Sequence, residues 1–331
     1  MNIGVLGGGS WGTTVAHLLS RRYDVTLWAR NSDIADEINA HHTNDRYLSS
    51  APLSPKLQAT DQLQAATRGQ SVLVMAIPAQ NFRAVLTDAA RYLDPLTPIV
   101  SLSKGLEFST GARMTEIIQA VCPDHPAAVL TGPNLAQEIM AGFAAASVLA
   151  TPNPCDQSHL QRIFHSPLFR VYTNEDVIGC ELCGVLKNII AIAAGMSDGL
   201  GAGNNTRAAI ITRGLAEMTR LGLAMGAKAE TFSGLAGMGD LVTTCTSAQS
   251  RNHTVGFRLG QGNSIDSIIQ DMFMVAEGIK SAPAVMRLAE QFGVEMPIAA
   301  EVMQVVTGQR DAQGSFKALL RAGVGREDEP F

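Results

Sequence analysis

The N-terminal stretch Asn2-Ile3-Gly4-Val5-Leu6-Gly7-Gly8-Gly9-Ser10-Trp11-Gly12, running on from Thr13 to Arg21, decides the fold. Asn2 to Leu6 is a short β-rich run. Thr13 to Arg21 carries Val15, Ala16, Leu18 and Leu19 at helical spacing. Between them lies Gly-x-Gly-x-x-Gly in the strand, turn and helix context that gives the pattern its meaning. Gly7 permits the tight turn, Gly9 lets the backbone approach a pyrophosphate, and Gly12 lets the helix pack close to the strand. The helix N-terminus then offers N–H groups and a positive dipole end to phosphates. The stretch predicts a dinucleotide-binding unit.

Working outward, Asp24 to Ala29 predicts a second strand. The acidic residue that would hold the ribose hydroxyls of NAD is missing from its end, where Ala29-Arg30-Asn31-Ser32 stands instead. Arg30 is placed either to accept a 2′-phosphate or simply to face solvent. The first reading makes NADP(H) the expected cofactor, with NAD(H) as a second candidate. His41 to Pro55 reads as a polar loop. Ser71 to Ile77 is a continuous apolar run, as in a strand buried on both faces of a parallel sheet. Asn81 to Tyr92 follows as an amphipathic helix. Strands are expected at Pro98–Leu102, Ala127–Leu130, Ala145–Ala150 and Phe169–Tyr172, and a helix at Leu135–Met140. Lys104 follows the first of these strands and Thr131-Gly132-Pro133-Asn134 the second. Strand ends of open α/β sheets face the ligand crevice, which makes Lys104 a candidate phosphate or carboxylate binder. Strands alternating with helices predict a doubly wound sheet.

From Val177 onward no convincing strand is found. Val177 to Gly195 is apolar on every face, as in a buried helix. Thr173 and Asn174 are possible caps, and Glu175 and Asp176 suit a first turn. Lys187 sits in the middle of this helix. A buried ammonium must be paired, shifted in pKa or turned to a cavity. Glu181 is a structural candidate partner, but six residues is a poor pairing distance on a helix; a functional pocket is the competing reading. Ser197–Asn205 reads as a glycine-rich link, and helices are expected at Asn204–Met225, Gly278–Phe292, Pro297–Val306 and Asp311–Ala322. Asp240 lies in or at the edge of an apolar helix. Ser250-Arg251-Asn252 offers a hydroxyl, a bidentate cation and an amide suited to a phosphate. The tail from Gly325 is charged and expected to fray. The fold class is therefore α/β: an N-terminal doubly wound sheet domain over residues 1–180 and an all-helical domain over 181–331, the boundary falling near 175–190. A cleft between two such domains is a usual substrate site.

Composition narrows the class further. The chain has 331 residues, 46% hydrophobic and 17% charged, so a sizeable core is available and disorder is not expected. A formal charge of −5 argues against a general nucleic-acid surface. Five cysteines form no framework spacing, and Cys180-x-x-Cys183 has no second pair, so no metal site is expected. A strand that begins at position 2 leaves no room for a signal peptide. The Val177 helix is interrupted by Glu181 and Lys187, so no membrane span is expected. A cytoplasmic protein with reduced thiols is the natural reading. The apolar helical half suggests a homodimer.

Taken together, these motifs are similar to those of the bacterial NAD(P)-dependent glycerol-3-phosphate dehydrogenases, over nearly the whole chain and in order. The similarity includes Gly7 to Gly12, Ser103-Lys104-Gly105-Leu106-Glu107, Gly132-Pro133 and Glu181 to Asn188. It continues through Thr212-Arg213-Gly214-Leu215-Ala216-Glu217, Gly239-Asp240-Leu241, Ser250-Arg251-Asn252 and Glu277-Gly278. The resemblance implies a Rossmann-type first domain and reversible reduction of dihydroxyacetone phosphate to sn-glycerol 3-phosphate, which feeds phospholipid synthesis. It implies that Lys187 gives and takes the proton, with Lys104 as a second active-site lysine near substrate and nicotinamide. Asp240 and Thr244 would stand beside Lys187. Ser250, Arg251 and Asn252 would meet the substrate phosphate, Arg251 also lying near the cofactor. Gly132 and Asn134 would form a turn over the substrate. Ser10, Trp11, Arg30, Ala136, Val275 and Glu277 match cofactor positions. Position 8 is glycine where the family often has alanine, and position 134 is asparagine where a small hydroxyl is usual. Two rival readings use the same architecture. A β-hydroxyacid dehydrogenase would prefer a carboxylate substrate, and a non-catalytic NADP(H) sensor would need neither Lys187 nor the Ser250 trio.

Overall fold

The computed structural model describes residues 1–49, 51–272 and 276–321. Val275 and the charged tail from Gly325 lie outside the described residues. The chain divides into two compact units, the first formed by Met1–Glu107 and Ala112–Val177, the second by Phe108–Gly111 and the residues from Ile178 on.

The first unit alternates strands and helices. In chain order they are β1 (Asn2–Leu6), α1 (Ser10–Ser20), β2 (Asp24–Trp28), α2 (Ser32–His41), β3 (Gln58–Thr60), β4 (Val72–Met75), α3 (Ala79–Ala90) and β5 (Ile99–Ser101). Then come α4 (Met114–Val121), β6 (Ala127–Thr131), α5 (Ala136–Met140), β7 (Ala145–Ala150), α6 (Pro154–Phe164) and β8 (Phe169–Asn174). They form one sheet in the order β3-β2-β1-β4-β5-β6-β7-β8. Pairing is parallel except between β6 and β7, which run antiparallel, so the doubly wound sheet is a mixed one. Both faces are covered. Ile3, Val5, Val72 and Val74 pack on one side with α1, α2, α5 and α6. Leu6, Leu73 and Met75 pack on the other with α3 and α4. This double burial is why β4 reads as an unbroken apolar run. The edge strand β8 buries only Phe169 and Val171, and Tyr172 is exposed.

The order of the strands reverses at β1, between β2 and β4. At that switch point an open α/β sheet leaves a crevice beyond its strand ends. Gly7 turns there with φ +123°, and a Cβ on it would lie 2.3 Å from the Ala76 carbonyl oxygen. Helix α1 starts at Ser10, earlier than the expected Thr13. Gly12 is thus inside its first turn, where a Cβ would lie 2.0 Å from the Gly7 oxygen.

The second unit is helical among its described residues. It comprises α7 (Val177–Gly199), α8 (Asn204–Ala224), α9 (Ala229–Ser233), a π-helical turn (Leu235–Gly239) and α10 (Asp240–Thr246). It continues with α11 (Arg251–Gly260), α12 (Ile265–Asp271), α13 (Glu277–Gln291), α14 (Pro297–Val306) and α15 (Ala312–Arg321). Helix α7 extends over 23 residues and takes in Ser197 to Gly199, shortening the expected glycine-rich link. Glu175 and Asp176 precede the helix instead of forming its first turn, because Asn174 Oδ1 accepts the Asp176 N–H at 2.8 Å and turns the chain there. Among the described residues α7 alone has the length and apolarity of a membrane span, yet nearly all of it is buried within the protein.

Glu217 of α8 is completely buried. Its carboxylate accepts the Ile298 and Ala299 N–H groups at 2.7 and 3.3 Å, supplying the N-terminal cap that α14 has no local side chain to provide. Burial outweighs these two bonds and pushes the Glu217 carboxyl from its ordinary 4.5 up to about 7. The folded chain therefore holds this proton more tightly than the unfolded chain. Stability should fall as pH rises from about 4.5 to about 7 and level off above, by on the order of 3 kcal/mol for this group. Glu217→Gln keeps an acceptor oxygen and should flatten that slope. Urea midpoints for both proteins across about pH 5 to 7.5 check this, and parallel curves would refute it.

Candidate active site

In the first unit the predicted residues gather at the carboxyl ends of the parallel strands. Gly9 is the N-cap of α1 and has no side-chain cap, and no acidic residue stands in the first turn. A Cβ on Gly9 would meet nothing within 4 Å. The Trp11 Nε1 is buried without a hydrogen-bond partner. Uncapped N–H groups, open space over the turn and an orphaned donor beside it fit a phosphate-bearing nucleotide. The turn is braced from the polar stretch His41 to Pro55. Asn44 Nδ2 donates to the Gly8 carbonyl at 3.0 Å and to Thr13 Oγ1 at 2.9 Å, and Ser10 Oγ donates to the Tyr47 carbonyl at 2.9 Å. No spacing signal marks Asn44 or Tyr47. Arg30 is exposed just past β2, and the Asn31 side chain caps α2 by accepting the Asp33 N–H at 2.9 Å.

Lys104, just beyond β5, donates to the Gly132 carbonyl at 2.9 Å. Gly132 has φ +135°, a conformation only glycine adopts without strain. Asn134 Nδ2 donates to the same carbonyl at 3.0 Å and to Ser147 Oγ at 3.1 Å. Its Oδ1 is buried without a partner, as is Thr131 Oγ1. Ala136 opens α5 close by in sequence. Arg83 grips Glu107 through two bonds of 2.7 and 2.8 Å, and Gln80 donates to the Leu106 carbonyl at 2.6 Å, so the loop carrying Lys104 is held from α3.

The second unit holds a cluster around Lys187. This lysine is 7% exposed in the middle of α7. Its Nζ lies 2.6 Å from Asp240 Oδ1 and 2.7 Å from Thr244 Oγ1. Thr244 donates its own hydroxyl proton to the Asp240 carbonyl oxygen at 2.6 Å, which turns its lone pairs toward the ammonium. Asp240 follows directly on the π-helical turn, where the Gly239 N–H reaches the Gly234 carbonyl at 3.1 Å. Gly237 inside that turn lies against Phe232, whose oxygen would be 2.1 Å from an added Cβ. The wider turn rotates the start of α10 and presents Asp240 and Thr244, one helical turn apart, on one face. The turn has no signature beyond Gly237-Met238-Gly239. Burial pushes the neighbouring Cys245 thiol up to about 12, so it stays protonated beside this pair.

The Ser250 trio opens α11. Ser250 is the N-cap, its Oγ accepting the His253 N–H at 3.2 Å. Arg251 is exposed in the first turn, which carries no acidic residue. Asn252 turns inward. Its Nδ2 donates to Asn188 Oδ1 at 2.9 Å and its Oδ1 accepts the Gly278 N–H at 2.9 Å, joining the neighbour of Lys187 to the start of α13. Glu277 is the first residue of α13. Asn188, adjacent to Lys187 in sequence, was not singled out as a site residue. Its sequence signals are an amide beside Lys187 in a largely apolar helix and its place at the end of the Glu181–Asn188 motif.

Comparison with known proteins identifies the family. A model described as the NAD-dependent glycerol-3-phosphate dehydrogenase N-terminus matches residues 2–156, and the corresponding C-terminus model matches residues 176–317. A glycerol-3-phosphate dehydrogenase (NAD(P)+) of Sphingopyxis alaskensis is 57% identical over 330 residues, covering 100% of this chain and 99% of the relative. One from Mycobacterium avium is 49% identical, covering 98% of this chain and 95% of the relative. The crystal structure of glycerol-3-phosphate dehydrogenase from Coxiella burnetii superimposes with a TM-score of 0.93 at 40% identity, covering 97% of this chain and 98% of that one. With two family models spanning most of its length and a close relative matching all of it, this chain belongs to the NAD-dependent glycerol-3-phosphate dehydrogenase family.

Proposed function

We propose that the protein catalyses reversible reduction of dihydroxyacetone phosphate to sn-glycerol 3-phosphate with NADPH or NADH. The buried Lys187, paired at 2.6 Å with Asp240 and bonded at 2.7 Å to Thr244, carries this reading. Bound nicotinamide supplies a hydride to the carbonyl carbon in reduction and takes one up in oxidation. Lys187 gives its proton to the carbonyl oxygen in one direction and receives it in the other. Asp240 stabilises the ammonium form of Lys187 and orients its Nζ, and Thr244 keeps the ammonium from swinging away. Arg251 pairs with the substrate phosphate by its planar fork, helped by the positive end of α11, while Ser250 shapes that turn and Asn252 tethers it to Asn188. Lys104, Gly132 and Asn134 form the substrate-facing group of the first unit. Gly7, Gly9, Ser10, Trp11, Gly12 and Ala136 hold the nucleotide. Arg30 takes the 2′-phosphate of NADPH, which its exposed place past β2 supports.

On this reading residues 1–180 form the cofactor domain and 181–331 the substrate domain. The protein works in the cytoplasm, where its product enters glycerophospholipid synthesis; five free cysteines suit that reducing compartment. A homodimer is supported by Met238 and Val242, large apolar side chains left exposed one turn apart in the second unit.

NAD(P)H oxidation with dihydroxyacetone phosphate, followed by absorbance, tests the activity. Cofactor binding without turnover would remove this substrate. Lys187→Ala should lower kcat by about 10²- to 10⁴-fold while NADPH affinity, read by fluorescence titration, stays nearly unchanged. Near-normal turnover would falsify the role given to Lys187. Arg30→Ala should raise the KM for NADPH well above its effect on NADH; equal effects would mean that Arg30 does not touch the 2′-phosphate.

A further inference from the structure

Helices α7 and α11 meet backbone to backbone. A Cβ on Gly195 would lie 2.1 Å from the His253 carbonyl oxygen, and one on Gly199 2.2 Å from that of Phe257. From the other side, Cβ atoms on Gly256 and Gly260 would lie 2.0 Å from the Ile192 oxygen and 2.4 Å from the Met196 oxygen. Glycines four residues apart on both helices leave two smooth surfaces. Such a contact fixes how near the helices come, but it lacks the ridges and grooves that would stop one from sliding or rolling on the other.

Polar side chains supply that register. Asn252 reaches Asn188 in the middle of α7. His253, the next residue, reaches the far end of α7, its Nε2 lying 2.8 Å from Asp198 Oδ2. The same oxygen accepts a bond from Arg207 Nη1 of α8 at 3.0 Å, and Arg207 also donates to Asn204. The Asp198 carboxylate is therefore held from α8 while it holds α11. His253 gives its backbone N–H to Ser250 Oγ, so the pinned residue also belongs to the cap of α11. Arg251 stands between these two residues in sequence.

We propose that Asp198 and His253 are positioning residues for substrate phosphate recognition. They fix the first turn of α11 against α7 and so place the Arg251 guanidinium. This rests on the phosphate role given to Arg251 above. The Nε2 proton is assigned by its carboxylate partner. A glutamine amide nitrogen can reach the place of that Nε2, whereas the shorter asparagine cannot.

Steady-state kinetics with dihydroxyacetone phosphate and with phosphate-free dihydroxyacetone test the idea. His253→Ala should raise the KM for the phosphorylated substrate about tenfold and change kcat by less than about threefold. The kcat/KM for dihydroxyacetone should stay at its wild-type value. His253→Gln should recover most of the loss and His253→Asn should not. Arg207→Ala, which releases the other arm of Asp198, should change the KM far less than His253→Ala. An unchanged KM in His253→Ala overturns the proposal, as does an equal loss on both substrates. If the alanine variant does not fold, the Gln and Asn variants decide, and equal behaviour of the two overturns it. Wild-type protein inactive on dihydroxyacetone phosphate overturns the underlying reading before any variant is compared.

Discussion

The burial of one ammonium group organises the second unit. Lys187 lies 7% exposed on a helix whose other residues from Gly179 to Ser197 are also buried. Bringing a charge there costs several kcal/mol unless a counter-charge and hydrogen bonds meet it. Asp240 and Thr244 do so from a different helix, and the π-helical turn before Asp240 sets the angle at which they arrive. A buried ion pair of this kind is a poor source of stability, since well-packed apolar residues often serve as well or better. Removing one partner, by contrast, leaves an uncompensated buried charge at a cost of about 3–5 kcal/mol. A pair that stabilises little and is expensive to break is more economically explained by chemistry than by folding.

The first unit was legible in the sequence because its signals are local. Strands buried on both faces read as apolar runs, and the glycine fingerprint states its own geometry. What escaped was set by pairing across the sheet. The residues of β7 do not reveal that it runs antiparallel to β6, because direction is settled by the connection and not by the side chains. Helices α2, α4 and α6 and the three-residue strand β3 were also missed. Asn44 is the instructive case. It binds the Gly8 carbonyl and Thr13 from a turn that looked like a solvated loop. A single amide that folds back over 31 to 36 residues leaves no periodicity to detect.

The site was legible in residue types more than in partners. Lys187 announces itself as a charge in an apolar helix, but Glu181 and Asp240 were equally visible carboxylates. Helix geometry counted against the first, and only the fold supplies the second. Glu217 makes the same point from the other side. Its motif stood out in the sequence, yet no local feature shows that the carboxylate caps a helix 81 residues further on.

The Ser250-Arg251-Asn252 trio shows how adjacency misleads. Consecutive positions on a helix point about 100° apart, so three neighbours cannot all present side chains to one small anion at full strength. The structure divides them. Ser250 spends its oxygen on the His253 N–H, and Asn252 turns both ends of its amide into the core, leaving Arg251 exposed. On the proposed phosphate role the three act on one task through different links. The serine shapes the turn, the asparagine ties that turn to the neighbour of Lys187, and the arginine carries the charge. On the proposed phosphate role, placement of the guanidinium rests on the turn that His253 and Asp198 tie to α7, and the glycine-lined contact between α7 and α11 then belongs to the site along with the charged side chains.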